Sequence, residues 1–81
     1  DIWSLGCIMY FLCMLWHPFQ DENGEPVKQK ILDGEYPEIT ESYSQELKDL
    51  IADMLQVDPD QRPMADQIIE RIQQAKEKYD F

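Results

Sequence analysis

From residue 2 to residue 16 the chain reads IWSLGCIMYFLCMLW, with Ser4 as the only overtly polar side chain. A run this apolar predicts a helix buried on every side, because a helix with no polar stripe has no face to turn to water. The pattern then changes. HPFQDENG, residues 17–24, gathers Pro, Asp, Asn and Gly and predicts a surface loop that ends the first helix. In EPVKQKILDG, Pro26 suits a first helical turn, Val27 and Ile31 stand four apart, and Gly34 suits a C-terminal stop. EYPEITESY reads as extended, since Pro37 holds Tyr36 away from the helical region. SQELKDLIADMLQV is amphipathic, with Ser44 as N-cap, Glu46 in the first turn, and Leu47, Leu50, Ile51, Met54 and Leu55 as one stripe. DPDQRP is a turn, and MADQIIERIQQAKEKY is a last helix with Ile68, Ile72, Ala75 and Tyr79 along one side. With no alternating strand pattern and no repeat, the fold class is all-α.

Size sharpens the puzzle of the first helix. A chain of 81 residues is at most one small domain, and its remaining segments are too few to cover that helix all round. The reading is therefore of a section of a larger protein. A membrane role does not fit, because the uncharged run is shorter than the ~20 residues a spanning helix needs. Nor does it carry the basic leader and small-residue cleavage site of a signal peptide.

Charge removes another class of function. The net charge is −10, and residues 21–60 hold twelve carboxylates against Lys28, Lys30 and Lys48. Such a surface repels phosphate backbones and anionic lipid, so neither nucleic acid nor membrane is an expected partner. The simplest use of the acid is a solvated face that keeps the chain soluble. Cys7 and Cys13 stand six apart, which on a helix sets them on different faces about 9 Å apart along the axis, too far to bridge. Without a Cys/His cluster to bind metal they read as buried reduced thiols, pointing to a cytoplasmic or nuclear, intracellular setting. His17, the only histidine, precedes Pro18 in a turn and reads as a loop residue rather than a base. There is no G-x-G-x-x-G, P-loop, H-E-x-x-H or nucleophile elbow.

The order of three short motifs goes further. DIWSLG, then HPF, then MLQVDPDQRP at this spacing resembles the C-terminal lobe of eukaryotic protein kinases, from the family's helix F through G and H to helix I. The resemblance spans nearly the whole chain, 1–81 as a partial kinase domain. KILDGEYPEITESYSQELKDLIADMLQVDPDQRP looks most like the NimA-related serine/threonine kinases, while LGCIMYFLCMLWHPF is also similar to the numb-associated kinases. In that family this helix is the central post of the large lobe, which accounts for its apolar circumference. Asp1 matches the aspartate at the head of helix F, whose carboxylate accepts from backbone amides of the catalytic loop. Ile8 and Leu12 fall where the family seats its hydrophobic spines, Trp3 and Gly6 serve packing and close approach, and Arg62 matches the arginine that pairs with the glutamate ending the activation segment. All are structural roles.

By the same resemblance, the phosphate loop, the lysine of the third strand and the catalytic and metal-binding aspartates lie upstream of Asp1. No catalytic, cofactor or metal residue is expected here; ATP and Mg²⁺ belong to the parent, which would transfer the γ-phosphoryl group to protein Ser or Thr. The expected partners are the rest of the kinase domain and protein substrates or regulators. Their docking is placed on Trp16, Phe19 and Tyr36 as apolar anchors, rimmed by Glu22, Glu25 and Glu35. Two departures from the pattern stand out. Met64 replaces the usual Ser or Thr cap of helix I, which softens that start. Phe11 stands where some kinases carry a glutamate that reads a basic substrate residue. The competing functions are a pseudokinase scaffold and an independent helical interaction domain.

Overall fold

The computed structural model describes residues 1–79, with side chains through Lys78. Its elements are α1 (Ile2–Met14), α2 (Lys28–Asp33), α3 (Gln45–Met54), a 3₁₀ turn (Pro59–Gln61) and α4 (Ala65–Tyr79). Asp1 starts α1 as its N-cap, its carboxylate accepting from the Ser4 amide at 2.9 Å. The helix stops where Leu15 turns left-handed at φ 56°, its amide returning to the Phe11 carbonyl at 2.7 Å. A leucine in that region is strained, by about 1–2 kcal/mol.

The loop that follows is more ordered than its composition implies. The Asp21 carboxylate accepts from the amides of Asn23 and Glu25 at 2.9 and 3.0 Å, turning the chain back on itself. Asp21 and Val27 donate to the Glu25 and Phe19 carbonyls, both at 2.8 Å, closing a narrow hairpin with one bridge between Gln20 and Pro26. That pairing corrects the place given to Pro26. It stays extended in the hairpin, and α2 begins only at Lys28, after Val27. Gly34 ends α2 at φ 68°, where a Cβ would also meet Val57 Cγ2 at 2.7 Å.

Ser44 caps α3 as its sequence implies, its hydroxyl accepting from the Leu47 amide at 3.2 Å. At the head of α4 the missing hydroxyl of Met64 is offset from the other direction. The Gln67 side chain reaches back to accept from the Met64 amide at 2.8 Å, half of a capping box. The 3₁₀ turn is held by the Asp58 carboxylate accepting from the Asp60 amide.

Packing joins α1 to α3. Cys7, Tyr10, Phe19, Ile39, Ile51 and Leu55 form one buried cluster, and Leu50, Met54 and Ile68 a second beside it. The extended segment 35–43 is tied to α1 by two tyrosines, Tyr10 donating to the Pro37 carbonyl at 2.6 Å and Tyr43 to the Cys13 carbonyl at 3.2 Å. Two ion pairs join α4 to α3, Arg71–Asp53 at 2.7 Å and Lys78–Glu46 at 2.6 Å. Ile68 is buried in that joint and Ala75 half-buried, whereas Ile72 is left exposed, so the inner face of α4 is only partly used. The side chain of Tyr79, expected on the same face, lies outside the described residues. Both cysteines are free. Among the described residues no helix is long and apolar enough to cross a membrane.

The molecule measures 39 × 29 × 15 Å with a radius of gyration of 13.0 Å, against about 11.7 Å for a compact chain of this length. A slab this thin holds little more than one helix diameter, about 10–12 Å with side chains. It therefore covers α1 from one side only.

Candidate functional site

The one-sided cover divides α1 lengthwise. Gly6, Cys7 and Tyr10 face α3 and are buried. Leu5, Ile8, Phe11 and Leu12 sit on the other side, and Ile8 and Leu12, one turn apart, remain 56% and 68% exposed. As the size of the chain implies, α1 is not buried on every side here: its own residues supply only half of the cover. Four large apolar side chains on one helical face make a ridge that water does not stabilise.

Close approach of α3 depends on Gly6. A Cβ there would stand 2.9 Å from Met54 Cβ and 3.1 Å from Leu55 Cδ2, so any side chain would push the two helices apart. Trp3, one turn earlier, stacks on Phe19 with ring centroids 5.8 Å apart and planes within 8°. Its indole thereby clamps the hairpin to the head of the helix.

Arg62 is half-buried beside that head. Its Nε donates to the Gln56 carbonyl at 2.8 Å and its Nη2 to the Val57 carbonyl at 3.3 Å, so the side chain holds together the turn leaving α3. The carboxylate expected to pair with Arg62 is not among these contacts; within this chain backbone carbonyls take its place. Asp1, likewise expected to accept from a distant loop, is exposed and accepts from its own helix at Ser4. Yet the fold gathers the two. Asp1, Trp3, Ile31, Leu32, Val57 and Arg62 line one cleft of about 330 Å³. Leu32 and Val57 were missed by sequence reasoning, their only signal being apolar residues beside turn-forming ones.

Nearby, burial pushes the Cys7 thiol from 9.0 up to about 11, with the Arg62 charge opposing. Cys13 is raised by burial too. Neither is an activated nucleophile.

The proposed docking residues are brought only partly together. Trp16 is at the surface, 39% exposed, and Glu22, Glu25 and Glu35 are exposed. Phe19, by contrast, is 0% exposed, under Trp3. Tyr36 is half-buried, its ring edge-on to Tyr10 and Phe19 at 5.6 and 5.8 Å. Phe19 is thus core and not an exposed anchor, and Tyr36 packs against that core while keeping part of its surface in water. His17 is a loop residue as expected, its Nδ1 accepting from the Phe19 amide at 3.1 Å. A second cleft, about 590 Å³ between α3 and α4 with Met9, Leu47, Leu50 and Ile72 in its walls, was also not foreseen.

Residues 1–72 match the family model described as protein kinase domain. Over 70 residues the chain is 49% identical to a probable serine/threonine-protein kinase nek3 of Dictyostelium discoideum, covering 86% of this chain and 6% of that protein. It is 42% identical over 71 residues to the human serine/threonine-protein kinase Nek5, covering 88% of this chain and 10% of the relative. For the G2-specific protein kinase nimA of Emericella nidulans the identity is 46% over 63 residues, 78% of this chain and 9% of that protein. The chain thus spans about a tenth or less of the length of these relatives. A helix lacking half its cover, on a chain that aligns with a small part of much longer kinases, has one consistent reading: this chain belongs to the protein kinase family, as an all-α part of a kinase domain most similar to the NimA-related serine/threonine kinases.

Proposed function

We propose that residues 1–81 form the scaffold section of the C-terminal lobe of a serine/threonine kinase that transfers the γ-phosphoryl group of ATP to protein Ser or Thr. The observation that carries the reading is the exposed ridge of Leu5, Ile8, Phe11 and Leu12 on a helix whose other side is close-packed. Covering it with the rest of a kinase domain removes apolar area from water, worth roughly 1.5–3 kcal/mol for each large side chain fully buried. Ile8 and Leu12 then back the catalytic lobe from below. In the cleft that Asp1 and Arg62 share, a carboxylate meets incoming amides and a guanidinium meets an incoming glutamate.

These residues position; they do not react. No Gly-rich phosphate loop occurs in the sequence, and among the described residues no three of His, Cys, Asp and Glu gather to hold a metal ion. The side chains present do not fit ATP or Mg²⁺, which on this reading bind elsewhere in the kinase. An intracellular setting, cytoplasmic or nuclear, belongs to the same reading and is supported by the two free thiols.

The full-length protein, incubated with γ-labelled ATP, Mg²⁺ and a Ser/Thr-containing protein substrate, should label serine or threonine. Absence of transfer under conditions where the protein is folded would favour the pseudokinase scaffold.

A further inference from the structure

We draw no further inference here: the strongest candidate, the apolar cleft of about 590 Å³ between α3 and α4 walled by Met9, Leu47, Leu50 and Ile72, carries nothing, because Arg71 and Lys78 on its rim are paired with Asp53 and Glu46 and nothing in the structure shows what covers it.

Discussion

Gly6 is where a single hydrogen atom sets the distance between two helices. Gly6→Ala gains up to about 1 kcal/mol of helix propensity but places a methyl 2.9 Å from Met54 Cβ, an atom fixed close to the α3 backbone. Overpacking of this kind costs about 1–3 kcal/mol. Destabilisation by about 1–2 kcal/mol in denaturant unfolding of the full-length kinase is the expected outcome, and a stabilised variant would show that the helices separate freely. Arg62 makes a second residue-scale test. Arg62→Lys keeps the charge but loses the planar fork that reaches two carbonyls, and should lower stability by about 1–2 kcal/mol. The Cys7 thiol supplies a pH dependence. Burial raises it from 9.0 to about 11, so the neutral thiol is the form the fold favours. Its contribution is complete below about pH 9 and is lost as pH climbs toward 11. Melting temperature should fall across that window, and Cys7→Ala should reduce the fall. The sequence showed Gly6 and Arg62 as motif members; it did not show which atoms they meet, because those come from α3 and from the turn leaving it.

Among the elements, those with a local code were read most closely. The α3 helix carries its N-cap at Ser44 and its stripe within one window, and both hold in the structure. The hairpin was read only as a loop, since its order depends on one carboxylate, Asp21, accepting from two amides that composition does not reveal. Phe19 was misjudged for the same reason: in a polar loop it resembles an exposed anchor until the hairpin folds it under Trp3. The segment 35–43 was legible as extended but not as tethered. Its tethers give a prediction. Tyr10→Phe removes a 2.6 Å hydrogen bond from a fully buried ring and should cost about 1 kcal/mol, whereas Tyr43→Phe, with a 3.2 Å bond, should cost less. Hydrogen exchange at the amides of 38–43 should quicken in both, and unchanged exchange would mean that the segment is held by Ile39 alone.

At the scale of the whole molecule, a slab 15 Å thick meets a helix that is apolar all round. Their mismatch was visible in the sequence as too much greasy surface for too little chain. It predicts that the 81-residue chain, prepared alone, self-associates in sedimentation experiments despite its charge of −10. A monodisperse monomer that unfolds cooperatively would speak for an independent helical domain. The most direct measurement is the unfolding midpoint of the full-length protein carrying Leu12→Glu, a change at the most exposed point of the ridge in this chain. If the rest of a kinase domain covers the ridge, an unpaired carboxylate is forced into an apolar interior and the midpoint drops steeply, with loss of about 3 kcal/mol or more. An unchanged midpoint would place Leu12 in water in the full-length protein and contradict the scaffold account.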